Sequence, residues 1–273
     1  MPTDTAASSL TRVALIGATG RMGVALLRAA ANCRDLIITG AIASPGSLAL
    51  GRDAGELAGL GAANLAVSAD LPRALRQADV AIDFSSPHAA EANLEAARAA
   101  RKPLLIGTTG LGSALDTALE AAARDIALLL APNTSVAVAV LNELTRRAAQ
   151  ALPREFDIDI LERHHRQKQD APSGTALALG AAAASARGVT LKAASSSLPR
   201  GKGEIGFASV RAGQTAGAHT VLFSGAGEEL SLTHRAFDRG VFARGALAVA
   251  LWLASRPPGR YGMQEFLGFK TGT

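Results

Sequence analysis

The chain has 273 residues, of which 48% are hydrophobic and 19% are charged, so it is long enough to bury a core in each of two modest domains. Its formal net charge of +5 comes from 28 basic and 23 acidic residues, and only 4% of its residues are aromatic, so we expect no nucleic-acid partner. The sequence has no apolar run of about 18 residues, and residues 1–10 lack the basic start and apolar centre of a secretory signal, so we expect no membrane partner and no secretion.

Short apolar strands alternate with alanine-rich helices as far as Asn133. Strands with few polar positions, separated by such helices, are typical of a parallel sheet that is covered on both faces. We therefore predict an α/β fold whose first domain, residues 1–134, contains a Rossmann-like parallel sheet that binds a dinucleotide. The predicted strands are 12–16, 36–43, 65–67, 80–84, 104–106 and 126–130, and the predicted helices are 24–31, one from Leu71, 87–100 and 113–124.

The pattern changes in the second half of the chain, where glycine-bearing loops separate strands that we expect to form an antiparallel meander. We predict a smaller α+β domain, residues 135–240, with a mixed open sheet for substrate binding and oligomerisation. Residues 241–273 are expected to return to the first domain. The predicted elements are helix 136–151, strand 156–160, helix 175–186, the meander strands 205–211, 219–223 and 229–235, and helix 242–254.

A glycine loop follows the first predicted strand. Gly17, Gly20 and Gly23 lie between that strand and a helix, which is the context that a dinucleotide-binding fingerprint requires. Gly17 would permit the tight turn, Gly20 would let the backbone approach a pyrophosphate, and Gly23 would allow the helix to pack closely on the strand.

A basic run, residues 163–168, lies between a predicted strand and the helix that begins near Thr175. Asp170 or Ser173 can cap this helix, and Pro172 suits its first turn. The amides of Gly174 and Thr175 would then face outward, where they could bind a carboxylate or a phosphate. Taken alone, such a run is also typical of a solvated linker or of a nucleic-acid contact.

Several segments in order along the chain resemble the 4-hydroxy-tetrahydrodipicolinate reductase family, also called the dihydrodipicolinate reductases. The signature is Glu162-x-His164-His165-x-x-Lys168-x-Asp170-Ala171-Pro172-Ser173-Gly174-Thr175-Ala176. The resemblance extends to the Gly17–Gly23 loop, Asp83-Phe84-Ser85, Ile106 to Gly110, Ala131-Pro132-Asn133, Gly206 to Arg211 with Gly213, and His219-Thr220. These segments cover nearly the whole chain.

The resemblance implies that the chain reduces a cyclic dicarboxylate with a nicotinamide cofactor in lysine and diaminopimelate biosynthesis. A ring that accepts hydride gains negative character and needs a proton nearby. The resemblance implies that His164 is the acid/base residue, that Lys168 is the proton donor, and that His165, Gly174 and Thr175 bind the substrate carboxylates. If the turn is helical, His164 and Lys168 share one face. Arg163 and Arg166 either add positive field or are solvated.

The cofactor contacts that the resemblance implies lie in three loops of the first domain. The chain departs from the family's pattern at Thr134 and Ala137, and it has Ala43-Ser44-Pro45 where an acid often binds the adenosine ribose. Because Ser44 does not repel a 2′-phosphate, we expect NADPH to be used, with NADH also accepted. The implied cofactor-binding residues are Gly17, Arg21, Met22, Gly107, Thr108, Thr109, Ala131 and Asn133.

The remaining expectations are structural. His219 and His234 lie in predicted strands and are expected to be core or interface histidines with satisfied rings. The sequence lacks metal-ligand spacing, so we predict no metal, and a single cysteine, Cys33, suits a reducing cytoplasm. The resemblance further implies a homotetramer built through the second domain's sheet.

Two other functions remain open at this point. One is a different two-domain NAD(P)-dependent dehydrogenase of aspartate-derived substrates. The other is a protein that senses a dinucleotide or a nucleic acid.

Overall fold

The structure is a computed structural model that describes residues 10–112, 114–191, 201 and 203–269. It forms two compact units: one spans Met1–Thr134 and Gly240–Thr273, and the other spans Ser135–Arg239. No helix within the described ranges is long and apolar enough to cross a membrane.

The first unit contains a seven-stranded sheet in the order β11-β6-β5-β4-β1-β2-β3, and every strand pairs in parallel with its neighbours. The Rossmann-like sheet predicted from the sequence is therefore confirmed. Its strands are β1 Thr11–Ile16, β2 Leu36–Ile42, β3 Val67–Ser68, β4 Val80–Asp83, β5 Leu104–Ile106, β6 Ala127–Leu130 and β11 Gly259–Tyr261. Its helices are α1 Arg21–Ala30, α2 Ala54–Leu57, α3 Leu71–Gln77, α4 Pro87–Ala99, α5 Ala114–Ala122, α8 Gly240–Leu253 and α9 Met263–Phe266.

The continuous apolar strands are explained by burial on both faces of this sheet. In β1, Val13 and Leu15 belong to one core cluster with α1 and α8, whereas Ala14 and Ile16 belong to a second cluster with α3, α4 and α5. Successive side chains of a strand point to opposite faces, so both faces of β1 need apolar residues. Helix α8 packs on the sheet of the first unit through buried residues that include Ala246 and Val249.

Within its described residues, the second unit contains a mixed four-stranded sheet in the order β10-β9-β7-β8 and two helices. A third core cluster lies between this sheet and the helices, and it includes Leu141, Ile160, Leu179 and Phe223. The elements are α6 Val136–Ala151, β7 Asp157–His164, α7 Gly174–Arg187, β8 Ile205–Arg211, β9 Gly217–Ser224 and β10 Glu229–Ala236.

The predicted antiparallel meander is wrong for β8. Strands β9 and β10 form a hairpin, but β8 lies on the far side of β7 and pairs with it in parallel. Parallel neighbours need a crossover of a dozen or more residues. The 14-residue helix α7 provides part of this crossover between β7 and β8.

Other boundaries differ from the sequence prediction. Strand β7 continues past Ile160 to His164, so the basic run begins inside the strand and not after it. The short elements α2, α9 and β11 were not predicted. The predicted start of α5 at Ser113 lies outside the described residues.

Candidate active site

The first unit has a cavity of about 450 Å³ that is lined by residues following several of the parallel strands and by the start of α1. Helix α1 begins after Gly20, and no side chain caps its first turn. An uncapped helix start carries backbone donors and a positive dipole end, which suit an anion such as a pyrophosphate. The lining residues are Gly20, Arg21, Met22, Phe84, Ser85, Pro87, Gly107, Thr108, Thr109, Pro132, Asn133, Thr134 and Phe242.

Most of the predicted cofactor-binding residues line this cavity, but Gly17 and Ala131 do not. Gly17 forms the turn behind it with φ of 84°, and a Cβ there would lie 2.4 Å from the Phe84 carbonyl oxygen. Ala131 is buried in the core. A Cβ on Gly23 would lie 2.2 Å from the Gly17 carbonyl oxygen, so Gly23 is required for close packing of α1, as predicted.

A buried carboxylate supports this loop cluster. Asp83, at the end of β4, is fully buried and accepts hydrogen bonds from the Ser85 amide at 2.8 Å, the Asn93 side chain at 2.9 Å and the Thr108 hydroxyl at 3.2 Å. Buried charges require such partners. Asp83 therefore connects the loop after β4 to the loop after β5.

The end of β2 has no acid where one often binds a ribose. Ser44 is exposed two residues beyond β2. Asp53 uses its carboxylate to accept four backbone amides, from Gly55, Glu56, Ala63 and Leu65. Asp35 precedes β2 and so lies at the amino ends of the parallel strands, away from Ser44.

The second unit contains a buried acid–histidine pair. Glu162 and His164 lie two residues apart on β7, and Glu162 Oε2 is 2.5 Å from His164 Nδ1. Arg211 of β8 donates to both oxygens of Glu162, at 2.9 and 2.5 Å. The Ser173 amide also donates to Glu162, at 3.3 Å.

These contacts change the acidity of both groups. Burial raises the pKa of Glu162, but hydrogen bonds from Arg211, Ser209 and His164 outweigh it and lower that pKa to about 2. Burial lowers the pKa of His164 and outweighs the raising effect of Glu162. The pair is thus an ionised carboxylate beside an imidazole that is mostly neutral at pH 7, as suits proton exchange.

A second buried histidine contacts this pair. The His219 ring packs edge-on against His164 with their centroids 5.1 Å apart, and its Nε2 lies 3.2 Å from Ser173 Oγ. Burial lowers the pKa of His219 to about 4. His219 lies in the core, as expected. The ring nitrogens of His219 and His234 were also expected to be hydrogen-bonded. The Nδ1 atoms of His219 and His234 instead have no partner among the described residues.

Ser173, and not Asp170, caps α7, because its hydroxyl accepts the Ala176 amide at 3.2 Å. Pro172 therefore precedes the cap and is not in the first turn. Gly174 and Thr175 are the first two residues of α7, so the helix starts where it was predicted to start. A Cβ on Gly174 would meet nothing within 4 Å, so the space beside this residue is open.

The segment between His164 and Lys168 is a turn and not a helix, because the Lys168 amide donates to the His165 carbonyl oxygen. The condition under which the two side chains would share one helical face is therefore not met. The Lys168 Nζ is 2.7 Å from an Asp170 carboxylate oxygen. His165 instead faces a separate cavity of about 800 Å³, where its Nε2 is 3.3 Å from the Arg239 guanidinium. Arg166 lines the same cavity, whereas Arg163 is exposed on β7.

Sequence reasoning assigned no catalytic or substrate-binding role to Glu162, Ser173, Arg211 or His219, although all four lie within the segments that carry the resemblance. The available signal was alternation along β7. Glu162 and His164 share the inward parity of Ile158 and Ile160, so both had to be buried together.

Comparison with known proteins places this geometry in a family. Residues 11–134 match the model of the dihydrodipicolinate reductase N-terminus, and residues 137–267 match that of its C-terminus. A 4-hydroxy-tetrahydrodipicolinate reductase of Alkalilimnicola ehrlichii is 49% identical over 94% of this chain and 99% of its own length. A protein of the same name from Rhizobium rhizogenes is 43% identical, with 95% and 97% covered.

Solved structures agree on the fold. A dipicolinate-bound dihydrodipicolinate reductase from Paenisporosarcina sp. TG-14 has a TM-score of 0.75 at 22% identity, covering 94% of this chain and 98% of its own. The two family models together span most of the chain, and the relatives match it nearly end to end. The chain therefore belongs to the dihydrodipicolinate reductase family.

Proposed function

We propose that this chain reduces 4-hydroxy-tetrahydrodipicolinate to tetrahydrodipicolinate with NADPH or NADH, as a step of lysine and diaminopimelate biosynthesis. The observation that carries the proposal is the buried Glu162–His164 pair, which lies in contact with the residue that caps α7. A proton-exchanging group and an anion-binding helix start are thus joined within one segment. A dicarboxylate that must be protonated during reduction needs both.

The start of α7 is assigned to a substrate carboxylate. A 14-residue helix presents a positive dipole end at Gly174 and Thr175, and the open space beside Gly174 leaves room for a ligand. His165 is assigned to the other carboxylate, with the adjacent Arg239 adding positive charge. Charge-assisted bonds of this kind contribute about 1.5–3 kcal/mol each, which is sufficient to fix the ring's orientation.

Proton supply is assigned to His164 and Lys168. His164 exchanges a proton as acid and base, and Lys168 donates a proton to the reduced ring. The ion pair between Lys168 and Asp170 keeps the lysine close to the start of α7. Asp170 is further tied to Arg211, which donates to its carbonyl oxygen at 2.6 Å.

The cavity of the first unit is assigned to the nicotinamide dinucleotide. Its residues fit such a group, because the uncapped start of α1 suits the pyrophosphate and Arg21 adds a positive charge. When bound, the cofactor supplies the hydride. Gly107, Thr108, Thr109 and Asn133 would contact it, with the buried Asp83 carboxylate holding the loops after β4 and β5 in place.

The proposal includes a homotetramer in the cytoplasm without nucleic-acid or membrane partners. The outer face of the second unit's sheet carries the exposed side chains of Leu161 and Val210 on adjacent strands, which suits burial against another copy. Sedimentation analysis tests the subunit count, since a monomer would contradict this part.

The function is tested by following the absorbance of reduced nicotinamide in the presence of freshly generated 4-hydroxy-tetrahydrodipicolinate. Consumption must require both the dicarboxylate and the protein, and aspartate semialdehyde replaces the dicarboxylate as the matched control. Turnover of the semialdehyde alone would contradict the proposal and favour another dehydrogenase of aspartate-derived substrates. Salt-sensitive binding of DNA without turnover would favour a sensor.

A further inference from the structure

We propose that Glu162 and Arg211 are positioning residues that hold His164 with a proton on Nδ1, so that Nε2 is the nitrogen that exchanges a proton with the substrate. This inference rests on the proposed function, because it refines the role of His164 in the same reaction. Neither Glu162 nor Arg211 needs to touch the substrate for this role.

The first step concerns the hydrogen-bonding capacity of Glu162. Its two oxygens accept from Arg211, and one of them also accepts from the Ser173 amide. An ionised carboxylate has no proton to donate. The contact of 2.5 Å between Glu162 Oε2 and His164 Nδ1 therefore requires the proton on Nδ1.

The second step concerns what fixes Glu162 itself. Arg211 lies opposite His164 in the parallel register of β7 and β8, and its planar fork engages both oxygens of Glu162. The same guanidinium donates to the Asp170 carbonyl oxygen at 2.6 Å. Arg211 therefore connects the acid–histidine pair to the turn that leads into α7.

The third step concerns the other nitrogen of the ring. A Cβ on Gly217 would lie 3.1 Å from His164 Nε2, so the absent side chain leaves Nε2 uncrowded on this side. With Nδ1 committed to Glu162, Nε2 carries the lone pair of neutral His164 and the exchangeable proton of its cation.

The charged and titratable groups facing His164 come from four segments: Glu162 on β7, Arg211 on β8, His219 on β9 and Lys168 in the turn. Glu162 raises the pKa of His164, whereas burial, Lys168 and Arg211 lower it. Removing the carboxylate of Glu162 removes the raising influence and leaves the others. The pKa of His164 must then fall further.

The test uses the full-length protein with ¹⁵N-labelled histidine, and NMR reports the tautomer and titration midpoint of His164 without any substrate. In the parent we expect the Nδ1-protonated tautomer in the neutral ring. In Glu162→Gln we expect a mixture of tautomers and a lower midpoint. We also expect the limb of the kcat profile that reports the protonation of His164 to move to lower pH, and kcat to fall about 100-fold or more with KM within a few-fold.

Glu143→Gln is the matched control. Glu143 is also buried in the second unit and is also bound by arginines, Arg146 and Arg147, at 2.6–2.9 Å, but it lies on α6. A purely structural role for Glu162 predicts that both glutamine variants lose stability while the His164 tautomer and the pH profile stay unchanged. That outcome would overturn the proposal, as would a parent His164 protonated on Nε2.

Arg211→Lys keeps the positive charge but loses the planar fork, and it serves if Glu162→Gln does not fold. We expect a mixed tautomer population and a smaller fall in kcat. An Arg211→Lys variant identical to the parent in both would contradict the role of Arg211. Because the tautomer is measured without substrate, a parent that fails to reduce the dicarboxylate would refute the proposed function and still leave the tautomer result to be judged separately.

Discussion

Ser173 Oγ lies 3.2 Å from His219 Nε2 and so joins the first turn of α7 to strand β9. The same oxygen accepts the Ala176 amide, which leaves its proton available for the ring nitrogen of a neutral His219. Protonated His219 has no lone pair on Nε2 and cannot accept that proton. When Nε2 is protonated, its N–H can instead donate to the second lone pair of Ser173 Oγ, so the contact joins the helix start to the buried ring in either form.

The burial of the His219 ring predicts how stability varies with pH. Burial lowers the pKa of His219 from 6.5 to about 4, so the folded protein binds fewer protons than the unfolded chain between these values. Its stability should be fully present above pH 6.5 and fall as pH drops toward 4, by about 3 kcal/mol at most. In His219→Gln, which keeps a polar partner for Ser173 but does not titrate, the fall should be smaller.

Thermal unfolding midpoints of the parent and His219→Gln at pH 7.5, 5.5 and 4.5 check this prediction. His88→Gln, a histidine at the start of α4 in the other unit, is the control and should keep the parent's pH dependence. An equal loss of stability in the parent and in His219→Gln would contradict the assignment.

Lys168→Ala should lose turnover far more than cofactor binding. A positioned general acid contributes about 10²- to 10⁴-fold in rate, and the start of α1 that is assigned to the cofactor lies elsewhere in the chain. Steady-state kcat and fluorescence titration with NADPH measure the two effects. Lys102→Ala, a partly buried lysine outside both cavities, should retain both. A kcat within a few-fold of the parent would refute the proton-donor role.

The start of α7 can be probed without disturbing the fold. Gly174→Ala adds a methyl group into open space and improves helix propensity, so stability should be unchanged or slightly raised. If a carboxylate binds there, the methyl group should displace it and raise the substrate KM about tenfold. Pyridine-2,6-dicarboxylate should inhibit the parent competitively with substrate and inhibit this variant more weakly.

Gly227→Ala is the control, because its Cβ also meets nothing within 4 Å and it lies in the β9–β10 loop. Inhibition that competes with the dinucleotide alone would move the anion site to the first unit. An unchanged KM in Gly174→Ala would remove Gly174 from the site.

Local patterns were sufficient to predict most elements of the fold. The doubly covered sheet followed from apolar runs such as Val13 to Ile16, because burial on both faces leaves no polar alternation. Strand pairing was harder to predict. Nothing local distinguishes β8 as a neighbour of β7 from β8 as the start of a meander, since the choice depends on a crossover through α7.

The candidate site was predictable to a similar extent. One contiguous signature led to the prediction of His164, Lys168, Gly174 and Thr175, and their roles stay predictions. The partners that set their chemistry, Arg211 and His219, are 49 and 57 positions beyond Glu162, and only sheet pairing brings them next to it. Their proximity depends on tertiary structure, which residue spacing does not encode.

We expect the preference between NADPH and NADH to depend on the absence of an acid at the end of β2. The carboxylate of Asp53 accepts four backbone amides, and Asp35 lies at the amino end of β2. Ser44, beyond the carboxyl end of β2, therefore takes the place where a ribose-binding acid often lies. A 2′-phosphate then meets no repelling charge there, and Arg21 in the cavity lining can attract it.

We expect kcat/KM for NADPH at least equal to that for NADH. In Ser44→Glu the new carboxylate should bind the ribose hydroxyl of NADH and repel the 2′-phosphate of NADPH. The ratio of the two kcat/KM values should shift toward NADH by about fivefold or more, because charges 4 Å apart interact by about 1–4 kcal/mol. Leu48→Glu adds the same charge in the following turn at a residue that is 99% exposed, and it should leave the ratio near the parent's. A parent that strongly prefers NADH, or a Ser44→Glu variant with an unchanged ratio, would show that another group reads the ribose.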